Sequence, residues 1–332
     1  MGIKQSSLSA GVGMWEPIWP RVGRHVPFST VLFASLTLAA GVPAVGDVPP
    51  STRAGASALE GIPFGLFGMQ GRKLIPPFTG AMQQAQPRTI LEDLAAARAR
   101  GAHIIVNFTG GPKAVTDPDG HYDFNTWKLR VDRFLPLAGQ LNGYVADGTL
   151  LAFMMIDEPF VKNHWGGDPV PKAAIDQMAQ YSKSIFPDLA TTVGSAPSTL
   201  QGYSWRYLDV AWAQYTARRG PETPYVSSEV AAAQAEGLGL VVGLNISKGG
   251  DGSSGFGEPK EWSMTGKEIL DYGHTLLAQP YACAFISWDY RPAVVERPDV
   301  WAALQELAAE AGKHSPTPCR QRGNSRAGRR LS

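Results

Sequence analysis

Seven short runs of almost uninterrupted apolar residues, at 62–68, 103–108, 150–157, 190–193, 208–215, 238–246 and 282–288, alternate along this chain with stretches of helical periodicity. A strand that is apolar on both faces must be covered on both faces, and helices packed outside a parallel sheet do this. The pattern predicts an α/β fold, a closed (β/α)8 TIM-type barrel over residues 61–312. Only seven strands are visible, so the eighth is expected to hide within 113–122, or the barrel is seven-stranded or distorted. An open doubly wound sheet is the alternative. No glycine fingerprint follows the first strand, which argues against a dinucleotide site.

Helix punctuation agrees with this alternation. Thr89 with Glu92 and Thr265 with Glu268 have capping-box spacing, and Asp123 stands where an N-cap is needed. Pro136 is expected to kink the helix that Asp123 starts, and Pro171 suits the first turn of the helix carrying Ile175, Met178 and Ile185.

The run at 150–159 ends abruptly in Asp157, Glu158 and Pro159. An unpaired carboxylate is costly to bury, so the two acids belong at the strand's mouth. In a (β/α) barrel that end forms the active face, which makes the pair a catalytic candidate; a structural ion pair is the plainer reading. Adjacent strand residues point to opposite faces, so one of the two has to be turned by the strand's ending. The expected division has Glu158 as proton donor with a raised pKa, while Asp157 stays ionised and orients a neighbour. Polar and aromatic residues collect at the other strand ends too: Asn107, Ser195, Trp212, Gln214, Tyr215, Asn245, Lys248, Trp288 and Asp289.

Charge is segregated along the chain. The formal net charge of +1 comprises +6 in 313–332 and +2 in 1–46, leaving −7 on 47–312. An acidic body argues against nucleic acid as a partner. The basic tail holds almost nothing apolar and is expected to be disordered, a polyanion-binding arm being the alternative. Arg21, Arg24 and His25 precede an apolar stretch and then Ala44, Val45 and Gly46, the order of a secretory signal peptide with an N-terminal extension. Met14 as the start would leave a short conventional leader, and an uncleaved anchor is the alternative. Residues 47–60 read as a linker, and nothing after residue 50 is long and apolar enough to span a bilayer. A secreted or periplasmic monomer is expected. Cys283 lies in a strand and Cys319 in the tail, and the expectation is that they stay unbridged.

Other chemistries find little support. The six histidines show neither His-x-His nor His-x-x-x-His spacing, so no metal and no cofactor is expected. Gly194-Ser195-Ala196 lacks the second glycine of a nucleophile elbow. His164 follows the acidic pair in a loop with Trp165, where an ordinary loop histidine and a ligand contact are both open readings.

The strand end Asp157-Glu158-Pro159, with the late strand Phe285-Ile286-Ser287-Trp288, resembles the barrel glycoside hydrolases, in which an Asn-Glu-Pro or Asp-Glu-Pro strand end carries the acid/base glutamate. The resemblance spans about 250 residues of barrel architecture. It implies a carbohydrate-acting hydrolase with Glu158 as acid/base and Trp288 as a sugar platform. Trp165, Trp205, Trp212 and Tyr215 are further stacking candidates, and Asn107, Gln214, Asn245 and Lys248 are polar substrate contacts. The family's late-strand glutamate is replaced by Asn245 here. Asp289 is the best-placed substitute, with Glu258 and Glu261 behind it. A third route is that of barrel hexosaminidases, where an adjacent Asp-Glu pair lets the substrate's acetamido group attack. Loss of the second carboxylate leaves a non-catalytic carbohydrate-binding barrel as the competing expectation. The segments 208–215 and 238–250 are also similar to secreted bacterial proteins of unassigned activity.

Overall fold

A computed structural model describes residues 61–320. The expected signal segment (1–46), the linker (47–60) and the end of the basic tail (321–332) lie outside the described residues. Strands β1 (Phe64–Phe67), β2 (Gly80–Gln84), β3 (His103–Asn107), β4 (Leu150–Asp157), β5 (Ala190–Gly194), β6 (Val210–Tyr215) and β7 (Gly239–Leu244) are followed by a hairpin, β8 (Gly257–Glu258) with β9 (Glu261–Trp262), and by β10 (Ala282–Ser287). Eight of them close a parallel barrel in the order β1-β10-β7-β6-β5-β4-β3-β2. The barrel is therefore eight-stranded and closed, as the alternation predicts.

The eighth strand is β2, and it does not lie in 113–122. That segment forms a short 3-10 turn and a single bridge between Thr116 and Tyr122. The sequence of β2 hides it because Gly80, Gln83 and Gln84 break its apolar run. Gln83 is buried but satisfied, accepting from Gly71 N at 2.6 Å and donating to Asp93 at 3.1 Å.

Helices α1 (Ile90–Ala99), α2 (Phe124–Asp132), α3 (Ala138–Ala146), α4 (Lys172–Ile185), α5 (Pro197–Leu200), α6 (Glu222–Glu236), α7 (Gly266–Leu277), α8 (Pro292–Val295) and α9 (Pro298–Ala311) form the outer layer. Thr265 and Glu268 make the full capping box, and Asp123 accepts from Asn125 N and Thr126 N. Thr89 makes no side-chain cap bond, so its capping box fails despite the spacing. Pro136 interrupts rather than kinks, its 3-10 turn separating α2 from α3.

Two apolar layers result. Met82, Ile105, Ala152, Met154, Val210, Trp212, Val241 and Ile286 fill the barrel, while Phe153, Met155, Ile104 and Val106 face the helices through Ile90, Leu94, Ile175, Met178 and Leu304. Burying each large side chain contributes about 1.5–3 kcal/mol.

The floor of the barrel corrects two expectations. Cys283 and Cys319 form a disulfide across 36 residues, and residues 313–320 pack against the barrel instead of hanging loose. Thr317 donates to Pro280 O at 2.9 Å, and Arg320 donates to Pro187 O at 2.8 Å and lies 3.6 Å from Asp209. Cys319 is buried in the inner layer, and a Cβ on Gly239 would stand 2.1 Å from its carbonyl oxygen. A glycine is needed there for the tail to dock. The tail's few apolar atoms hid this, because the anchoring is covalent and ionic.

Closing a loop of this length restricts the unfolded chain by about 3–4 kcal/mol. Cys319→Ser should lower unfolding stability by that order in denaturant titration, and dithiothreitol should do the same to the native protein. Equal stability in both tests would show that the bridge does not close.

Candidate active site

The acidic pair owes its aim to an irregularity in β4. Its pairing with β5 runs Met154 to Thr192, Ile156 to Val193 and Asp157 to Gly194, with a register shift between Met154 and Ile156. Met155 and Ile156 consequently both pack outward, and Asp157 returns to the inner face that Met154 occupies. A regular strand would have pointed Asp157 into the helices; the bulge re-aims it. Its carboxylate lies over Gly194, where a Cβ would come within 2.0 Å of Oδ1. Any side chain at position 194 would displace it.

Burial, and secondly the neighbouring Glu158 charge, push the Asp157 pKa up to about 7. This reverses the expectation that Asp157 stays ionised: its carboxyl holds a proton toward neutrality. Although its side chain keeps some solvent contact, the apolar barrel packed beneath it gives the carboxylate little compensation for charge.

Glu158 turns at the strand's end with φ +47°, a left-handed conformation that costs a non-glycine residue about 1–3 kcal/mol. Three bonds hold it there. Its N–H donates to Gly194 O at 3.0 Å, and its carbonyl accepts from Val161 N at 3.1 Å and from Trp165 Nε1 at 2.9 Å. The side chain is 54% exposed, and its Oε2 lies 3.4 Å from His164 Nδ1. Both acids are thus presented at the mouth by two different devices, a bulge and a left-handed turn.

Several other expected residues join them at the strand ends. Trp212 lies in the barrel just below the mouth, Nε1 donating to Ile286 O at 3.2 Å, and Gln214 follows it by alternation on the same face. Trp288 is half-buried against Phe67 with ring centroids 4.2 Å apart, and its peptide bond to Asp289 is cis. Asn245 bridges to Trp288, its side chain accepting from Lys248 N at 2.9 Å. Lys248 pairs with Glu261 of the hairpin at 2.6 Å, which holds the Glu261 carboxyl below its ordinary range. Glu258 is exposed on that hairpin. Asp289 accepts from Arg291 through Oδ2 at 3.0 Å, while its Oδ1 is buried with no protein partner.

Other expected contacts are structural. Tyr215 faces the helices, packs on Tyr225 and Tyr272, and donates to Gly220 O at 2.6 Å; burial pushes its pKa up to about 12. Trp165 is buried under the loop after β4, and Trp205 donates to Leu200 O. Asn107 is buried, its Oδ1 accepting from Thr109 N, Thr109 Oγ1 and Gly110 N of its own loop. Strand-end position alone does not separate a ligand contact from a loop organiser. Thr192 was not singled out by the sequence, since an isolated threonine in an apolar strand carries no signal. It lies on the inner face below Gly194 with its Oγ1 buried and unpaired. Among the described residues no group of histidine, cysteine and acidic side chains could hold a metal ion, and no helix is long and apolar enough to cross a membrane. A surface groove of about 370 Å³ beside α4 lies outside the barrel, and its Asp176 is committed to the backbone N–H groups of Arg206, Tyr207 and Leu208.

Asp157 gives a direct test of this electrostatic picture. Its pKa rises from 3.8 unfolded to about 7 folded, so the folded state binds the proton more tightly. The resulting stability is fully present below about pH 4 and is lost as pH rises through 7. Asp157→Asn should therefore gain on the wild type by about 4 kcal/mol between pH 4 and pH 8 in urea unfolding. A difference that does not change with pH would contradict the burial of this carboxylate.

No family model and no curated protein matches the sequence. Among solved structures the chain is similar to a family 18 chitinase from Pseudoalteromonas aurantia, at 12% identity over 75% of this chain and 99% of that one, with TM-score 0.46. A hyperthermophilic endocellulase from the archaeon Pyrococcus horikoshii matches at 12% identity over 75% and 92%, with TM-score 0.47. A xylanase from Thermotoga petrophila, solved with xylobiose, matches at 9% identity over 80% and 100%, with TM-score 0.49. The likeness is one of barrel architecture, and it transfers no residue role.

Proposed function

We propose that this chain is an extracytoplasmic glycoside hydrolase-like barrel acting on a carbohydrate, with Glu158 as general acid/base. The observation that carries the reading is the acidic pair itself. A bulge and a left-handed glutamate, both unfavourable in isolation, bring two adjacent carboxyl groups to the mouth of a barrel whose interior is mainly apolar. In the reaction the Glu158 carboxyl gives its proton to the glycosidic oxygen, and the C–O bond breaks with its electron pair going to that oxygen. Trp288, half-buried against Phe67 at the end of β10, is the aromatic face proposed to carry a sugar ring. The Cys283–Cys319 bridge supports an oxidising compartment, in agreement with the signal-like leader.

Asp289 is the proposed second carboxylate. It follows β10, four strands from β4 in either direction round the barrel. Eight strands about 4.8 Å apart and tilted about 40° enclose a barrel about 15 Å across. The separation of the two carboxyl groups decides the stereochemical outcome, roughly 5 Å in retaining enzymes and roughly 6.5–9.5 Å in inverting ones. In the proposed reaction Asp289 activates water, and a separation in the longer range makes it inverting.

The second reading is a barrel that binds carbohydrate without cleaving it. It is favoured by Asn245 at the end of β7, and by the ion pairs that already engage Glu261 and Asp289. A glycan array with product detection separates the two, since binding without product supports the second. On any glycan that is cleaved, Glu158→Gln should lose at least about a hundredfold in kcat/KM while keeping its circular dichroism spectrum. Unchanged turnover would remove Glu158 from the mechanism.

A further inference from the structure

The loop after β4 is built as though one side chain in it had to stay put. Val161 N bonds to Glu158 O, His164 N to Val161 O at 2.9 Å, Gly167 N to Lys162 O at 3.0 Å, and Val170 N to Pro159 O at 2.8 Å. Trp165 is buried beneath, bonded to the carbonyl of Glu158 itself and set edge-on to Tyr122. His121 closes on Gly166, where a Cβ would meet its Nδ1 at 2.8 Å. Two consecutive turns and a buried indole thus tie the backbone of His164 to that of Glu158, and the two side chains meet at 3.4 Å through Nδ1 and Oε2.

That separation is longer than a good hydrogen bond, as contacts of this kind commonly are before a substrate binds. We propose that His164 is the positioning residue of Glu158. Its Nδ1–H holds Oε2, so that Oε1 carries the proton toward the leaving oxygen, and the same N–H steadies the carboxylate left behind. The assignment rests on the reading of Glu158 as general acid, and the contact itself does not. A loop histidine with no such task would need neither the buried tryptophan under it nor the constraint on the carbonyl of the residue it touches.

Other ionisable groups stand around this loop: Asp157 beside Glu158, Lys162 and Asp168 within the loop, His121 against Gly166 and Tyr122 against Trp165. The test therefore removes one charge at a time and has an arm that needs no turnover. The His164 ring protons are titrated by NMR in the full-length protein and in Glu158→Gln. The imidazole midpoint is expected to differ between the two proteins. An unchanged midpoint overturns the pairing. In the second arm His164→Ala is expected to lose about tenfold in kcat/KM and the pH dependence over the imidazole range. His164→Gln, which keeps an N–H donor, should restore most of the rate without that pH dependence. Wild-type kinetics in His164→Ala would overturn the role. An active Glu158→Gln with a shifted midpoint would retire the acid assignment while leaving the contact intact. An inactive one with an unshifted midpoint would retire His164 alone.

Discussion

The contact between Asp157 and the bare face of Gly194 is the constraint on which the mouth of this barrel depends. It requires a residue without Cβ on β5, and a bulge on β4 that rotates the strand by one residue just before its end. Without the bulge Asp157 would face the helices, and Glu158 would lack its bond to Gly194 O. Burial then makes Asp157 hold its proton into the neutral range, so the adjacent Glu158 does not have to sit beside a full second charge at lower pH. Backbone irregularity, glycine placement and titration are one arrangement seen at three levels.

The two ends of the barrel are stabilised by different means. At the carboxyl ends of the strands the loops are held by side chains that bond to nearby backbone, as Asn107 and Trp165 do. The opposite end is closed by residues 313–320, tied in by the Cys283–Cys319 bridge and by Arg320 beside Asp209, which Lys183 also contacts at 2.5 Å. Partial desolvation lowers the Lys183 pKa, the mark of an ion pair that is part of the packed wall and not of the solvated surface. Placing the covalent lock at the floor leaves the mouth free to vary in its loops, the usual division of labour in this architecture.

Much of the fold was legible in the sequence because seven strands are apolar on both faces, and that property has few structural solutions. Strand β2 was not, since a buried glutamine that finds its partners in Gly71 and Asp93 looks like a loop residue until those partners are placed. The importance of the Asp157-Glu158 step was legible from the cost of burying acids. That Asp157 would hold its proton toward neutrality was not, because that depends on a bulge no local pattern announces. Tyr215, Trp165 and Asn107 show the same limit: their polar atoms were visible, but whether those atoms serve a ligand or a neighbouring backbone group is decided by tertiary position. The disulfide was missed because the tail's composition describes how it would behave alone, and it is not alone.

The central claim is that chemistry on a sugar takes place at the acidic pair. Its most direct test is a crystal structure of Glu158→Gln with an oligosaccharide that the wild-type protein binds. The account predicts a glycosidic oxygen within about 3 Å of the substituted side chain, with a sugar ring against Trp288. A glycan bound instead at the surface groove beside α4, or at the face closed by residues 313–320, would contradict it.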